Sequence, residues 1–293
     1  MSGDTREHAT AHAKLNLSLR VLAREATGYH QIETVFCALE LADDIEISRT
    51  RSGVTLEVAT PADEPGNVPD LGPPDRNLAV RAAAAFADAA GLNHGVHIRL
   101  VKRIPAGAGL GGGSSDAATV LRALNRMQKK PLPRHTMLTL GASLGSDVPF
   151  FMTEAALALA WGRGERMMPL APLDPAPIVL LVPPERVSTA EAYAALDSQR
   201  AMTPAALQPP RTWSDIALHA TNDFEEIIFA RHPRLGELRQ LLEEAGAHIA
   251  RMTGTGSVVF GVFDDAATAR AAARRAGSAH PDVQAILTQT RSA

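Results

Sequence analysis

The sequence predicts an α+β fold. Three observations lead there. Apolar and polar residues alternate over several short segments, Ala-rich stretches run from an N-cap to a glycine, and the two kinds of element follow one another irregularly, without strict βα alternation. The 293 residues are enough for one large or two modest domains with a substantial core. A change of pattern near residues 150–176 marks a boundary, which gives an N-terminal lobe over 1–160 and a C-terminal lobe over 161–293.

The elements follow in order. Leu15, Leu17, Leu19 and Val21 alternate with Lys14, Asn16, Ser18 and Arg20. Ala13–Val21 therefore reads as a half-buried strand with Lys14 and Asn16 on its polar face. Asp43–Arg49 and Val54–Thr60 read as strands joined by the polar turn Thr50-Arg51-Ser52-Gly53. Residues 61–76, rich in Pro, Gly and Asp, form a surface loop. Asn77–Ala90 starts at an N-cap and stops at Gly91, which defines a helix. Val96, Ile98 and Leu100 alternate in a strand that leads through Lys102-Arg103-Ile104-Pro105 into Gly107–Gly113. Ser115–Arg126 and Arg134–Leu144 are helices, and Ala155–Trp161 and Ile178–Val182 are buried strands. Ser188-Thr189-Ala190-Glu191 fits a capping box at the head of a short helix. Residues 198–213 contain three prolines and no period, as a long loop would. Asn222–Arg231 and Leu235–Ala245 are helices around Pro233, and Ala247–Met252 and Ser257–Phe263 are strands flanking Gly254-Thr255-Gly256. Asp264–Ala276 is a helix and Val283–Thr288 a last strand.

Composition excludes several functions. Lys+Arg 29 against Asp+Glu 32 gives a formal net charge of −3, too little positive charge for general nucleic-acid binding. Aromatic residues make up only 4%, too few for a single-strand stacking platform. The single Cys37 excludes an intramolecular disulfide and a multi-Cys zinc site. No apolar run reaches the roughly 18 residues that span a bilayer, and the first residues lack an apolar leader core, so a cytoplasmic protein without a membrane partner is expected.

The strongest chemical signal is Pro105-Ala106-Gly107-Ala108-Gly109-Leu110-Gly111-Gly112-Gly113-Ser114-Ser115-Asp116-Ala117-Ala118. Five glycines in seven residues remove the Cβ atoms that would keep backbone N–H groups from lining an anion. The helix that follows adds its unpaired N–H groups and partial positive charge, which suits a polyphosphate. A Walker A loop would end in Gly-Lys-Ser/Thr, and this one has no lysine. Gly107, Gly109 and Gly112 also satisfy GxGxxG, a weak match in a glycine-dense run that leaves a dinucleotide reading open. Four further segments stand out: Gly145-Ser146-Asp147-Val148-Pro149-Phe150-Phe151, Thr253-Gly254-Thr255-Gly256-Ser257, Lys14 with Asn16, and Gly28-Tyr29-His30. Each alone reads as an ordinary turn or strand feature.

Taken together, these segments resemble the GHMP kinases, small-molecule kinases named for galactose, homoserine, mevalonate and phosphomevalonate. Pro105–Ala118 is similar to that family's phosphate loop, Gly254–Ser257 to its late glycine loop, and Lys14 to the lysine of its N-terminal strand. The expanded Gly111–Asp116 form, Ala13–Leu17, Gly28-Tyr29-His30 and Gly145–Pro149 look like the branch that phosphorylates a methylerythritol carrying a cytidine diphosphate. The resemblance implies a two-lobed fold with the active site in the cleft between lobes. It implies ATP with Mg²⁺, a small-molecule substrate with a cytidine diphosphate group, and a monomer or homodimer. The reaction implied is transfer of the γ-phosphoryl group to the 2-hydroxyl in the non-mevalonate route to isoprenoid precursors.

Residue roles follow from the same resemblance. Asp147 is the general base and Lys14 its partner. Pro105 to Ser115 hold the triphosphate, with Asn77 and Lys102 near the nucleotide. No dedicated carboxylate ligands are implied for the metal, and Ser114 or Ser115 reaches it. Asn16, Thr189, Gly254, Thr255 and Gly256 line the substrate. The only two tyrosines, Tyr29 and Tyr193, would face each other across the cytosine, with His30 reading its edge. Asn222-Asp223 also resembles a family segment, without an assigned role. Another GHMP kinase of homoserine or mevalonate type, a dinucleotide-dependent oxidoreductase and a non-catalytic nucleotide-binding module stand as alternatives.

Overall fold

The structure, a computed structural model, describes residues 6–61, 69–197 and 208–292. Residues 62–68 of the expected 61–76 loop and 198–207 of the expected 198–213 loop lie outside the described residues. The elements in chain order are β1 Arg6–Arg24, β2 His30–Thr50, β3 Val54–Ala59, α1 Leu78–Ala90, β4 Gly95–Val101, α2 Gly112–Arg126, α3 Arg134–Leu144, α4 Val148–Thr153, β5 Leu157–Gly162 and β6 Arg166–Pro169. They continue with β7 Pro177–Val182, α5 Thr189–Asp197, α6 Trp213–His219, α7 Glu225–Arg231, α8 Pro233–Glu244, β8 Ile249–Met252, β9 Val259–Val262, α9 Ala266–Ala279 and β10 Gln284–Gln289. The architecture is α+β, as the irregular order of elements predicts.

Two compact units share the chain. One comprises 1–13, 41–106 and 111–154; the other comprises 14–40, 107–110 and 155–293. They interleave in sequence because β1 and β2, 19 and 21 residues long, each begin in one unit and end in the other.

In the first unit, Asp44–Thr50 of β2 pairs antiparallel with β4, and β3 pairs parallel with β4 on its other side. The turn at Thr50–Gly53 therefore does not close a hairpin, because β4 lies between the strands it joins. Gly95 makes the tight passage possible, since a Cβ there would overlap the backbone of Ser52 and the side chain of Thr50. Asn77 caps α1 by accepting from the N–H of Ala79, and Gly91 ends it in the left-handed region. The buried face of α1 (Ala79, Ala82, Ala83, Phe86) packs against α2, whose Ala117, Ala118, Val120, Leu121 and Leu124 are also buried. The small alanines allow close helix approach, and burying Phe86 contributes on the order of 2 kcal/mol.

In the second unit, β10, β7, β9 and β8 form an antiparallel sheet in that order. The core against it is filled by Phe224 and Ile228 of the α7 region, Leu235, Leu238 and Leu242 of α8, and Ala269, Ala272 and Ala276 of α9. Ile32–Cys37 of β2 pairs with β5, which pairs with β6.

Several elements depart from the sequence reading. The first strand runs from Arg6 to Arg24 and is buried on both faces over residues 13–19, with Lys14 3% and Asn16 4% exposed. Its polar face is filled by protein rather than water. The strand expected at 43–49 starts thirteen residues earlier, at His30. Val35–Leu39 are all buried there, so no alternation is visible in the sequence. The α2 helix starts at Gly112. The Pro-interrupted stretch after Asp147 is the short helix α4, with proline in its first turn, where its missing N–H costs nothing. Thr212 caps α6 through a reciprocal capping box with Asp215, so a helix starts where the long loop was expected to end. The helix expected from Asn222 begins at Glu225.

Candidate active site

In the first unit, the glycine-rich segment delivers its backbone to the head of α2. Gly111 occupies the N-cap in the left-handed region (φ 72°), and no side chain caps the helix. The first-turn N–H groups of Gly112, Gly113 and Ser114 are thus not taken up by a cap, which leaves an anion-binding terminus. Ser115 is 1% exposed and its N–H donates to Gly111, whereas Ser114 is half-buried. Of the two serines, Ser114 has the accessible hydroxyl. Its Oγ lies close to Gly145, where a Cβ would approach it to 3.9 Å. Two residues on, Asp147 stands at the head of α4, half-buried, with its side chain not used to cap that helix. On the other side of the α2 terminus, a Cβ on Gly113 would meet Leu78, the residue after Asn77, at 3.7 Å. The unit therefore brings together Gly112–Ser114, Asp147 and the start of α1.

Lys102 lies directly below this terminus, and a Cβ on Gly112 would sit 3.4 Å from its Nζ. It is 7% exposed and donates to Asp43 Oδ2 at 2.5 Å and to Asp116 Oδ2 at 3.0 Å. Asp43 Oδ1 accepts the backbone N–H groups of Arg103 (2.6 Å) and Ile104 (2.9 Å). Asp116 Oδ1 has no hydrogen-bond partner among the described residues. Burial pulls the Lys102 ammonium toward neutrality, but attraction to Asp116 and Asp43 outweighs it and its pKa lies above the ordinary lysine value. Burial pushes the Asp116 carboxyl up to about 7 against the pull of Lys102. Lys102 thus ties the end of β4 to α2, and Asn77 is engaged as the cap of α1.

The second unit gathers most of the residues that the resemblance assigns to the substrate. Lys14 Nζ donates to Asn16 Oδ1 at 2.6 Å and lies 5.3 Å from the centre of the Phe36 ring. Asn16 Nδ2 donates to Thr34 Oγ1 (2.8 Å), and its backbone N–H donates to Thr253 Oγ1 (3.1 Å). Thr253 starts the late glycine loop. A Cβ on Gly109 would sit 2.5 Å from the Thr253 carbonyl oxygen, so the phosphate-loop backbone and the late loop meet in contact. Thr255 Oγ1 lies 3.1 Å from Thr189 Oγ1. Gly109 also has φ 79°, which disfavours any side chain. Gly109→Ala is expected to lower stability by at least about 1–3 kcal/mol through strain alone. A denaturant titration giving an unchanged midpoint would refute the close packing.

Each ring of the expected tyrosine pair has its own neighbours. His30 stacks on Tyr193 with centroids 4.6 Å apart and planes at 27°, and Phe224 meets Tyr193 edge-on at 4.9 Å. Tyr29 is 58% exposed, with the Arg163 guanidinium over its ring at 3.9 Å. Arg163 is held in turn by Glu25 (2.5 Å) and Thr27 (3.2 Å). Tyr193 is thus paired with His30, and Tyr29 with a cation. Sequence reasoning missed Arg163, Thr34, Asp43 and the work of Asp116. Asp43 and Thr34 fall in or beside the unread half of β2, whereas Asp116 stands inside the glycine-loop motif with nothing local to show its burial.

The comparisons with known proteins follow this geometry. Residues 77–154 match the model of the GHMP kinases N terminal domain, and 204–282 match that of the GHMP kinases C terminal domain. A 4-diphosphocytidyl-2-C-methyl-D-erythritol kinase from Solibacter usitatus is 40% identical over 274 residues, covering 90% of this chain and 84% of the relative. Another, from Pelotomaculum thermopropionicum, is 39% identical over 289 residues, covering 96% and 97%. A crystal structure of a 4-(cytidine 5'-diphospho)-2C-methyl-D-erythritol kinase superposes with a TM-score of 0.76 at 34% identity, covering 97% of this chain and 99% of that one. The family leaves no room for the dinucleotide oxidoreductase reading of the glycine loop. The chain belongs to the 4-diphosphocytidyl-2-C-methyl-D-erythritol kinases, within the GHMP kinases.

Proposed function

We propose that the protein transfers the γ-phosphoryl group of ATP to the 2-hydroxyl of 4-diphosphocytidyl-2-C-methyl-D-erythritol. The observation that carries the reading furthest is the uncapped, glycine-headed terminus of α2 beside Ser114 and Asp147. A triphosphate needs such a donor array, and phosphoryl transfer asks the protein chiefly to position groups and neutralise charge. The 105–115 segment holds the phosphates, chiefly through the free first-turn N–H groups of Gly112–Ser114. Asp147 takes the proton of the attacking hydroxyl, and Lys14 orients that hydroxyl. Among the described residues no cluster of three His, Cys, Asp or Glu side chains could hold a metal. Mg²⁺ would be carried mainly by phosphate oxygens and water, with the Ser114 hydroxyl as the protein oxygen. When bound, the ion would neutralise charge on the phosphates. Among the described residues no helix is long and apolar enough to cross a membrane. The family supports a cytoplasmic enzyme acting as monomer or homodimer.

On the substrate side, Asn16, Thr189 and Gly254–Gly256 hold the polyol and diphosphate, while Tyr29, His30 and Tyr193 recognise the base. The Tyr193–His30 stack fixes the imidazole plane, and the open ring of Tyr29 offers a stacking face. ADP release measured with Mg²⁺-ATP should require the cytidyl substrate. Absence of turnover with pure protein would count decisively against the reading. His30→Ala should raise KM for the cytidyl substrate. If the variant instead behaves like the wild type, the imidazole does not read the base, and a homoserine- or mevalonate-type substrate becomes the better reading.

A further inference from the structure

The segment Thr221–Glu225 lies outside the roles assigned so far, yet its Asn222 and Glu225 side chains are buried against Met252–Gly254. Asn222 is 5% exposed. Its Nδ2 donates to two carbonyls, that of Met252 at 2.6 Å and that of Gly254 at 2.8 Å, and its Oδ1 accepts the N–H of Phe224 at 3.0 Å. Two donors and one acceptor are therefore used, with the two carbonyls bracketing Thr253. Glu225 Oε1 accepts the N–H of Met252 at 2.7 Å, so the same segment grips both backbone groups of the residue that ends β8. On its other side, Thr221 O accepts the N–H of Leu19, Asp223 N donates to Leu19 O, and Asp223 Oδ2 accepts the N–H of Val21. Leu19 and Val21 belong to β1, the strand that carries Lys14 and Asn16.

One short segment thus holds two things in register: the strand bearing Asn16 and the loop bearing Thr253. The contact it fixes is the Asn16 N–H to Thr253 Oγ1 hydrogen bond, beside Gly109 of the phosphate loop. A loop of small residues has little side-chain packing of its own to define it. Gly254 and Gly256 both sit at positive φ, where glycine is the most permissive residue. A bidentate amide on its two carbonyls supplies the missing definition.

We infer that Asn222 is a positioning residue for the acceptor side of the reaction: by clamping the Met252 and Gly254 carbonyls it sets the 253–256 loop against Asn16, and so fixes affinity for the phosphoryl acceptor. The inference rests on the proposal that this loop lines the substrate. Two variants test it. Asn222→Asp keeps the shape but turns a carboxylate oxygen toward two carbonyl oxygens; Asn222→Ser is smaller and keeps one donor.

The first readout is independent of turnover. Backbone amide exchange over Ile249–Val258 in the unliganded protein should speed up in both variants, while exchange in α1 and α2 stays at the wild-type rate. The second is kinetic. KM for 4-diphosphocytidyl-2-C-methyl-D-erythritol should rise by about tenfold or more in Asn222→Asp, the equivalent of one net hydrogen bond, and by less in Asn222→Ser, with KM for ATP unchanged. Wild-type exchange over the loop in either folded variant would overturn the clamp. Faster exchange with unchanged acceptor KM would overturn its functional role. If Asn222→Asp fails to fold, Asn222→Ser decides both points. A wild-type enzyme that binds ATP but leaves this acceptor untouched would count against the proposed substrate, while the exchange result still decides the clamp.

Discussion

Asp147→Asn should lower kcat by about 10²–10⁴-fold, the usual worth of a positioned general base. Asparagine has nearly the same shape, so it can occupy the head of α4, but its amide cannot take up a proton. The fold should tolerate the change because asparagine suits the head of a helix as well as aspartate does, and proline stands in the first turn of α4. The expected signature is therefore narrow: a folded protein with wild-type ATP affinity and a large loss of turnover. Calorimetric titration with a non-hydrolysable ATP analogue, alongside steady-state ADP release, separates the two quantities. A variant that retains kcat within a fewfold would show that another group takes the proton. A non-catalytic nucleotide-binding module would show no turnover in either form and equal affinity in both.

The parts of this site that could be read in the sequence are those whose chemistry is local. The glycine run, the serines after it and the Asn77–Gly91 helix each carry their meaning within a few residues, and both helices form where expected, α2 starting three residues early. What could not be read depends on distant partners. Alternation around Lys14 and Asn16 is the pattern of a strand with one wet face. The face is dry because Thr34 and Thr253 fill it, the latter 237 residues away. The first half of β2 was invisible for the opposite reason, since burial of both faces erases the period of two. The β2–β3 turn has the composition of a hairpin, but pairing is decided by β4, which arrives 36 residues after β3. The scarcity of tyrosine directed attention to Tyr29 and Tyr193 without giving their partners. Packing of α5 against the α7 region sets Tyr193 on Phe224 and His30, a relation absent from any local motif.

Lys102→Met should be the most destabilising single change in the first unit, by about 3–5 kcal/mol at pH 8, the typical cost of removing one partner from a buried ion network. Methionine preserves much of the lysine stem's volume, so the loss is electrostatic. Asp43 and Asp116 would be left buried with no cation between them. The effect should depend on pH with a defined sign. The Asp116 carboxyl, lifted by burial to about 7, binds its proton more tightly when folded than when unfolded. Between the ordinary carboxylate range and about 7 the native state therefore holds more protons, and stability falls as pH rises through that window. Without Lys102 the carboxyl loses the one attraction opposing burial, so the penalty should be largest at pH 8 and shrink toward pH 5, where Asp116 carries a proton. Asp43 Oδ1 keeps its two backbone N–H donors, those of Arg103 and Ile104, in the variant. Asp116→Asn supplies the complementary measurement. It keeps the Lys102–Asp43 pair and removes the titrating group, so its stability should change less between pH 5 and pH 8 than that of the wild type. Urea midpoints for the three proteins across this range test the set. A pH-independent loss in Lys102→Met would remove Asp116 as the titrating group. A loss below about 1 kcal/mol would place the network among exposed ion pairs. Because this network pins Arg103 and Ile104 at one end of the glycine loop and Asp116 just past the other, the same variant should also weaken ATP binding. Stability and nucleotide affinity would then fall together, as expected if one buried charge cluster both supports the fold and shapes the phosphate loop.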